Sequence, residues 1–322
     1  MKISVIIPAY NGEKYIATAI ESCLRQTYPP HEIVVVDDGS TDGTFEIAQK
    51  YPPPVKALRL AKNMGVSVAR NRAVDASTGD WLAFLDADDW FLPQKLEMQR
   101  QCVLDHPDAV LVYTGMFLKP LDGPAVEIKF WPPRELSWRL RYSCIILPST
   151  VLLRRDAFDA VGGFDPAYPI AQDWDLWLKV AERFSTSAFA AVPTPLIMCR
   201  RVEGSLSSKI MPIIKETRSI VKNRSLYHTS GITRILLRRR ILAFCNYDHA
   251  LTLRGEGEGG FLHLILRSLA LWPFPNKMLS PARYKFAAVM LLQHLGLWPN
   301  SFRAVKEGQT EQNQHSESQL PG

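Results

Sequence analysis

The sequence predicts an α/β fold in which a mostly parallel central sheet is flanked by helices. Two short apolar segments near the N-terminus, residues 3–7 and 33–36, are typical of buried strands, and one helical segment separates them. A strand, a helix and a strand within about 35 residues form a unit with a right-handed crossover and parallel strands. Polar turns follow both strands, at the edge of the sheet where ligands bind in such folds.

The later elements repeat this alternation. Pro8 stops the first strand, Gly65 permits a sharp turn before a helix, and Pro93 opens another helix. Periodicity predicts further elements as far as the middle of the chain. They are strands at 55–60, before Asp86, at 109–114 and at 149–154, and helices at 135–141, at 155–161 and from 171 onward.

We expect three regions along the chain. They are a catalytic domain over residues 1–208, a helical C-terminal region over 209–305, and a disordered tail over 306–322 that is rich in Gln, Ser and Glu. Apolar residues at helical spacing predict four helices in the second region, at 213–227, 232–254, 260–271 and 282–295.

Composition limits the class of protein. With 322 residues, of which 47% are apolar, the chain can bury the core of one catalytic domain and a smaller appendage. The net charge is +6, and part of it lies in four arginines beside apolar residues, namely Arg234, Arg238, Arg239 and Arg240. They favour association with an anionic membrane surface, and a solvated helix face is the simpler alternative. The interleaved aromatics and the reader module of a nucleic-acid-binding protein are missing.

Cysteine usage and hydropathy indicate the compartment. The five cysteines stand singly and form neither a metal-binding spacing nor a disulfide framework, which is typical of a reducing compartment. The first eight residues are too short and too β-rich for a signal peptide, and no apolar run approaches the roughly 20 residues of a membrane span. We expect a cytoplasmic protein, soluble or peripheral at the inner face of the cell membrane.

The richest candidate site is the segment 79–90. An apolar stretch short enough for one buried strand ends in three carboxylates, Asp86, Asp88 and Asp89. Carboxylates so close together repel one another unless a cation or water is near. An Asp-x-Asp arrangement offers hard oxygen ligands to Mg2+ or Mn2+, which can also hold a diphosphate. The alternative is that these carboxylates cap the helix near Pro93.

A second acidic turn follows the strand at 33–36. Its Asp, Gly, Ser and Thr residues supply turn geometry, a helix cap and free backbone N–H groups. Asp37 can accept a hydrogen bond from the N3–H group of a uracil or thymine ring, while Asp38 and Asp42 have capping roles available. The alternative is that Asp37 also only stabilises the turn.

Four sequence blocks together resemble the family 2 glycosyltransferases. They are VIIPAYN at 5–11, VDDGSTDGT at 36–44, NMG with ARN at 63–71, and FLDADD at 84–89, in the order and spacing of that family. The resemblance covers roughly residues 1–205. It implies a GT-A-type nucleotide-sugar-binding fold, a nucleoside-diphosphate-sugar donor, a divalent metal (Mn2+ or Mg2+) and inversion at the anomeric carbon.

Carried over to this sequence, the resemblance implies which residues bind the donor. Pro8, Tyr10 and Asp37 would surround the nucleotide base, and Asn63 and Arg70 would also belong to the nucleotide-sugar site. From its spacing alone, Arg70 would reach either a phosphate or a nearby carboxylate.

The same resemblance implies the reacting groups. Asp88 would ligate the metal directly, and Asp86 would meet the ribose or the metal shell. Asp173 would be the catalytic base that accepts the proton of the acceptor hydroxyl. From the residues alone, the alternative is that Asp173 caps its helix.

Two positions depart from the family pattern. Gln172 stands where the family usually has a glutamate before the catalytic aspartate. Val202 stands where the family often has a histidine, and Arg200 or Arg201 would then cover the diphosphate instead.

The predicted function is an inverting, metal-dependent hexosyltransferase. It would move a sugar from a UDP- or dTDP-sugar to a hydroxyl of a glycan or lipid-linked acceptor, in cell-surface polysaccharide or glycolipid synthesis. Trp131 and Trp138 either stack on a sugar or simply pack. One alternative is a nucleotidyltransferase that forms nucleotide sugars, but residues 8–12 lack its basic, Gly-rich loop. The other is a non-catalytic sugar- or partner-binding protein, but both Asp88 and Asp173 are present.

Overall fold

The structure is a computed structural model that describes four stretches of the chain and a few single positions, namely 1–202, 210–224, 230–255, 261–274, 279, 284, 287, 288 and 291. The chain divides into two compact units, Met1–Arg238 and Arg239–Gly322. The predicted boundary at residue 208, the tail over 306–322 and most of the predicted helix over 282–295 lie outside the described residues. The division into a catalytic domain, a helical region and a tail stays a prediction.

The first half of the sheet is parallel. Its strands are β1 (Ile3–Ala9), β2 (Glu32–Asp37), β3 (Val55–Arg59) and β4 (Trp81–Phe84). They lie in the order β3-β2-β1-β4, and all of their pairings are parallel. Every residue of β1 and β4 is buried, as expected for parallel strands that are covered on both faces. The prediction of parallel strands is confirmed for this half.

The second half of the sheet is mixed. Its strands are β5 (Trp90–Phe91), β6 (Leu111–Lys119), β7 (Val126–Glu127), β8 (Val151–Arg154) and β9 (Phe189–Arg200). The order continues as β4-β8-β6-β9-β5, with β7 beside β6. The β8 strand is antiparallel to both of its neighbours, whereas β6 and β9 are parallel to each other. The whole sheet is therefore mixed, because β8 in its middle and the short strands β5 and β7 each run antiparallel to their neighbours.

The helices of the described residues fill the connections and the C-terminal part. They are α1 (Ile16–Leu24), α2 (Thr44–Gln49), α3 (Val66–Asp75), α4 (Lys95–Asp105), α5 (Pro133–Arg139), α6 (Arg155–Ala160), α7 (Gln172–Phe184), α8 (Ile210–Asn223), α9 (Gly231–Gly255) and α10 (Phe261–Leu271). None of these described helices combines the length and the apolar character that crossing a membrane requires.

An aromatic cluster joins α7 to the centre of the sheet. Phe84 of β4 packs edge to face on Phe164, with ring centres 5.3 Å apart, and its ring centre lies 6.4 Å from that of Trp177. Trp177 is fully buried, and its Nε1 donates to the carbonyl oxygen of Ile146 at 3.0 Å. Edge-to-face pairs stabilise such cores beyond the area that they bury. This packing fixes α7 against the strand that leads into the acidic turn.

A lysine is buried at the start of α4. Lys95 is fully buried, its Nζ donates to Gln99 Oε1 at 2.8 Å, and the same nitrogen lies 4.0 Å from the centre of the Phe91 ring. Burial lowers the pKa of Lys95 from 10.5 to about 7. Between these two values the unfolded chain carries the proton and the folded chain does not. Raising the pH in this window therefore favours the folded state.

We expect Lys95→Met to remove this pH dependence of stability. In the unchanged protein, the free energy of unfolding should rise between pH 7 and pH 10 by up to about 1.4 kcal/mol per pH unit from this group. Methionine has no proton to bind, so the rise should be lost. Chemical denaturation at a neutral and an alkaline pH measures it, and Lys50→Met, at an exposed lysine after α2, should keep the rise. An unaltered pH dependence in Lys95→Met would mean that Lys95 stays charged in the folded protein.

Candidate active site

The turns that follow β1 and β2 are bonded to each other. The N–H of Asn11 donates to Ser40 Oγ at 2.9 Å, and Asn11 Oδ1 accepts from the N–H of Thr41 at 2.9 Å. The N–H of Gly12 donates to Thr44 Oγ1 at 2.8 Å. Asn11 has a φ of 48°, a left-handed conformation that asparagine tolerates better than most residues. These bonds join the two turns into one polar surface at the carboxyl edge of the sheet.

Asp37 ends β2 with a buried carboxylate. Its two oxygens accept from the N–H of Ser40 at 3.3 and 3.2 Å, and Arg59 Nε lies 3.1 Å from Oδ2. Arg59 also pairs with Glu46 at 3.1 Å and lies over the Phe45 ring. Asp37 therefore does stabilise its turn, and its contact with a nucleotide base in addition stays a prediction.

Asp38 holds the turn that follows β3. Its Oδ1 and Oδ2 accept from the N–H groups of Met64 and Gly65 at 2.7 and 2.8 Å. Gly39 has a φ of 72°, and a Cβ atom there would lie 2.8 Å from the backbone nitrogen of Asn63. This close approach needs glycine. Asn63, whose side chain is exposed, is thereby fixed beside the turn that follows β2.

Pro8 and Tyr10 flank the end of β1. Pro8 is buried and pairs in register with Val36 of β2. The side chain of Tyr10 is 50% exposed. An exposed aromatic ring beside polar turns is suited to stacking on a planar ligand.

The acidic turn after β4 lies next to β1. The N–H of Leu85 donates to the carbonyl oxygen of Ile6 at 3.0 Å. Asp86 forms an ion pair with Arg70 of α3, whose side chain is only 2% exposed. Burial and the charge of Asp86 raise the pKa of Asp88 to about 6. A partly buried carboxylate whose pKa is raised beside a second carboxylate is a favourable place for a cation.

Asp89 anchors the acidic turn to the second half of the sheet. The Asp89 side chain is buried, and its Oδ2 accepts from Ser149 Oγ at 2.6 Å while its Oδ1 accepts from the N–H of Arg200 at 3.0 Å. Ser149 Oγ also accepts from the N–H of Asp86 at 3.1 Å. Burial, together with the charges of Asp86 and Asp88, raises the pKa of Asp89. The bonds of Asp89 therefore go to the sheet and not to the start of α4, which the capping alternative required.

Arg200 ends β9 beside the same turn. Its guanidinium carbon lies 5.0 Å from the ring centre of Tyr15 and 4.8 Å from that of Trp90. Its Nε donates to the carbonyl oxygen of Asp88 at 3.3 Å. Contact with two aromatic rings stabilises a cation at this position. Arg200 thus adds a fixed positive charge at the acidic turn.

Asp173 lies in the first turn of α7. Its Oδ1 accepts from the N–H of Trp174 at 2.7 Å, and its Oδ2 accepts from Cys144 Sγ at 3.3 Å. Burial raises the pKa of Asp173, against the opposing effects of the Trp174 N–H and the Arg70 charge. A raised pKa makes a carboxylate a stronger base. The N-cap residue of α7 is Ala171, although Asp173 does satisfy one free N–H group.

Gln172 connects α7 with the acidic turn. With its amide oriented so that both polar atoms are satisfied, its oxygen accepts from Arg70 Nη1 at 2.7 Å and its nitrogen donates to the carbonyl oxygen of Ile170. Arg70 pairs with Asp86 through its other terminal nitrogen. The start of α7 and the turn after β4 therefore share one charged cluster.

The structure places the predicted site residues along the carboxyl edge of the parallel strands and at the start of α7. The charged cluster contains the ion pair of Arg70 and Asp86. The charges of these two residues also act on Asp173. The other predicted residues occupy the neighbouring strand ends and turns, namely Pro8, Tyr10, Asp37, Asn63 and Asp88.

Sequence reasoning missed two residues that hold the site together. Ser149 ties Asp86 to Asp89, and Cys144 donates to Asp173. Each lies far along the chain from its partner, in a segment whose local pattern gives no sign of the contact. No signal in the sequence alone identifies them.

Comparison with known proteins decides the family. The model of the family described as "Glycosyl transferase family 2" matches residues 4–162. TuaG of Bacillus subtilis (strain 168), a glycosyltransferase assigned to teichuronic acid biosynthesis, is 31% identical over 230 residues, which are 70% of this chain and 89% of TuaG. This chain belongs to glycosyl transferase family 2. The glycosyltransferase is also 31% identical, over 188 residues, to WfgD of Escherichia coli, a UDP-Glc:alpha-D-GlcNAc-diphosphoundecaprenol beta-1,3-glucosyltransferase; these are 58% of this chain and 72% of WfgD.

Solved structures share the fold of this glycosyltransferase. Staphylococcus aureus TarS 1–349 in complex with UDP-GlcNAc has a TM-score of 0.65 at 22% identity, over 91% of this chain and 85% of that one. The mannosyltransferase PcManGT from Pyrobaculum calidifontis, in complex with GDP-Man and Mn2+, has a TM-score of 0.58 at 18% identity, over 98% of this chain and 84% of that one. The predicted GT-A-type fold is confirmed.

The glycosyltransferase has few side chains that could ligate a metal ion. Within the described stretches, no group of three or more His, Cys, Asp or Glu side chains could hold a metal ion. Mg2+ is usually bound through one or two carboxylates, with substrate phosphates and water as the other ligands. Asp86 and Asp88 supply two carboxylates beside an edge of polar turns. These residues fit an ion whose coordination is completed by a diphosphate.

Trp131 and Trp138, considered for stacking on a sugar, each make a cation–π contact. The guanidinium carbon of Arg139 lies 3.4 Å from the ring centre of Trp131 and 4.3 Å from that of Trp138. Lys129 Nζ lies 4.6 Å from the same Trp131 ring centre. These contacts give both tryptophans a packing role, and stacking of either ring on a sugar stays a prediction.

Proposed function

We propose that this glycosyltransferase transfers a sugar from a nucleoside-diphosphate sugar to an acceptor hydroxyl, with inversion at the anomeric carbon. The observation that carries the proposal is the charged cluster that joins Asp86, Arg70 and Gln172 to the start of α7, where Asp173 lies. A single displacement needs a site for the leaving diphosphate and a base close to it. The acidic turn and Asp173 would supply these two parts.

We propose a UDP- or dTDP-sugar as the donor. Tyr10 offers an exposed ring for stacking on the base, and Asp37 lies at the end of the adjacent strand. A carboxylate has room for about four hydrogen bonds, so Asp37 can accept from the N3–H of a uracil or thymine ring while it keeps Ser40 and Arg59. The binding of UDP-GlcNAc by TarS, which shares the fold, supports the same donor class. Pro8 and Asn63 would complete this part of the site.

The diphosphate would lie against the acidic turn. When bound, Mn2+ or Mg2+ neutralises the charge that develops on the leaving diphosphate. Asp88 and Asp86 would hold that ion, and Arg70 keeps Asp86 in place through their ion pair. Arg200, fixed between two aromatic rings, would bring a further positive charge to the diphosphate.

Asp173 would act as the base in the transfer step. As the acceptor oxygen forms its bond to the anomeric carbon, the bond from that carbon to the diphosphate oxygen breaks on the opposite face. The hydroxyl proton passes to the Asp173 carboxylate, and the nucleoside diphosphate leaves with the bonding electron pair. One displacement of this kind inverts the anomeric configuration.

We propose a lipid-linked glycan as the acceptor, in cell-surface polysaccharide or glycolipid synthesis. The printed names of WfgD and TuaG support this class of acceptor and pathway. On α9, the side chains of Ile232, Ile235 and Leu236 are exposed, in a segment that also carries Arg234 and Arg238. A helix that carries exposed apolar residues and nearby basic residues favours peripheral association with an anionic membrane surface. Such association would place the enzyme at the inner face of the cell membrane.

A donor panel tests the proposed function. The purified full chain is incubated with UDP-glucose, UDP-GlcNAc, UDP-galactose, dTDP-rhamnose and GDP-mannose, with Mn2+ or with EDTA. Release of the nucleoside diphosphate reports hydrolysis, in which water replaces the acceptor, and calorimetry reports binding. We expect one UDP- or dTDP-sugar to bind and to be hydrolysed only with metal. The proposed function is wrong if no nucleotide sugar binds under either condition.

A further inference from the structure

The start of α7 lacks a capping side chain of its own. Its N-cap residue is Ala171, which makes no side-chain hydrogen bond, and Ile170 precedes it. The first N–H groups of a helix have no partner within the helix and need an acceptor from elsewhere. Gln172 and Asp173 open this helix. A side chain that accepts hydrogen bonds at the start of α7 therefore also affects the direction in which Gln172 and Asp173 extend.

Glu216 of α8 accepts from the two backbone N–H groups that directly precede α7. Its Oε2 accepts from the N–H of Ile170 at 2.9 Å and from the N–H of Ala171 at 2.8 Å. Hydrogen bonds to an ionised carboxylate are about twice as strong as neutral ones. A negative charge is also favourable at the positive end of the helix dipole. Glu216 thus holds the two residues that lead into the first turn of α7 and places its carboxylate at the positive end of the helix dipole.

Further contacts from the same part of the chain hold the segment that leads into α7. Asn223 Nδ2 donates to Tyr168 Oη at 3.2 Å. Arg224, which directly follows α8, pairs with Asp175 and lies 4.0 Å from Asp165. Asp175 is fully buried in the first turn of α7, so this pairing is strongly favoured over leaving its charge alone. The end of α8 therefore holds the approach to α7 at several points.

We infer that Glu216 is a positioning residue whose carboxylate fixes the start of α7 and thereby orients Asp173 toward the acceptor and Gln172 toward Arg70. The inference rests on the proposed role of Asp173 as the base. According to this inference, α8 contributes to the geometry of the active site, although the helix follows the predicted domain boundary at residue 208.

The test compares Glu216→Ala with Glu216→Gln in the full chain. We expect Glu216→Ala to lower kcat for hydrolysis of the donor that the panel selects by about 10- to 100-fold, because a small displacement of a reacting group has effects of that size. The donor Kd from calorimetry should change by less than about threefold, since the donor contacts lie elsewhere. Hydrogen exchange at the amides of Ile170 and Ala171, measured on peptides that span 165–176, should become faster.

Glu216→Gln is the conservative variant that separates positioning from general stability. Its uncharged amide oxygen can accept both N–H groups, so kcat and amide exchange should lie much closer to the unsubstituted values than those of Glu216→Ala do. Lys215→Ala, at an exposed neighbour on α8, should leave kcat, Kd and exchange unaltered.

Two results would overturn the inference. One is a Glu216→Ala variant with unaltered kcat and exchange, and the other is an equal loss of kcat in both Glu216 variants. Failure of the proposed function looks different, because the unsubstituted chain would then turn over no donor, or Asp173→Asn would keep full activity. In that case amide exchange alone decides whether Glu216 holds the start of α7.

Discussion

Replacing Asp173 with asparagine is expected to lower the rate of sugar transfer by about 10²- to 10⁴-fold, the usual contribution of a general base, while donor binding changes little. Asparagine has the volume of aspartate, and its Oδ1 can still accept from the N–H of Trp174, so α7 should keep its start. The variant loses the group that takes the acceptor proton. Because burial raises the pKa of Asp173, the carboxylate that is lost is a stronger base than an exposed aspartate.

The measurement combines donor hydrolysis with calorimetry on the same samples. Asp173→Asn should bind the donor with Mn2+ as the unsubstituted enzyme does, and should release nucleoside diphosphate far more slowly. Asp108→Asn, at an exposed aspartate between α4 and β6, is the matched control and should remain fully active. If Asp173→Asn hydrolyses the donor at the full rate, the base must be another residue.

Asp88→Asn is expected to remove the dependence of donor binding on metal and to lower kcat/KM by roughly 10²- to 10³-fold, because a metal that stabilises developing charge contributes several kcal/mol. The carboxylate of Asp88 is partly buried near the charge of Asp86, and its pKa is raised to about 6, so it is ionised at some cost in the absence of a cation. Asparagine keeps the size of the side chain and removes one of the two charges that would attract the metal.

Calorimetric titration of the donor, with Mn2+ and with EDTA, checks this expectation. The unsubstituted enzyme should show strong binding only with Mn2+, and Asp88→Asn should bind weakly in both cases. The thermal stability of the metal-free variant should be at least equal to that of the unsubstituted chain, since one repelled carboxylate is gone. Asp122→Asn, at an exposed position before β7, is the control. Metal-dependent binding that survives in Asp88→Asn would remove Asp88 from the metal site.

Local patterns in the amino-acid sequence are enough to predict the parallel half of the sheet and the location of the acidic turns. Short apolar runs bounded by Pro and Gly specify buried strands, and the predicted strands at 3–7, 33–36 and 55–60 match β1, β2 and β3 closely. Parallel connection then brings their carboxyl ends to one edge. For this reason the blocks that resemble family 2 glycosyltransferases are expected at neighbouring strand ends, and the family is confirmed.

The arrangement of strands in the second half of the sheet depends on contacts between distant parts of the chain. The pattern of the strand at 149–154 contains no direction, yet β8 lies antiparallel to both β4 and β6 and makes the sheet mixed. The strand β5 is absent from the predicted elements. It has only two residues and is recognised as a strand by its pairing with β9, which a local sequence pattern does not show. Strand direction depends on partners that lie far away in the chain, and a local pattern does not contain them.

The contacts between side chains in the site likewise could not be predicted from the sequence. The spacing of Arg70 in the sequence is compatible with contact to either a phosphate or a carboxylate. In the folded chain Arg70 forms an ion pair with Asp86. Cys144 meets Asp173, and Glu216 meets the start of α7, across long stretches of chain. Turns and strands follow from interactions between near neighbours, which the sequence displays directly. The partners of a charged side chain follow from which elements the core brings together, and that is settled only when the whole chain has folded.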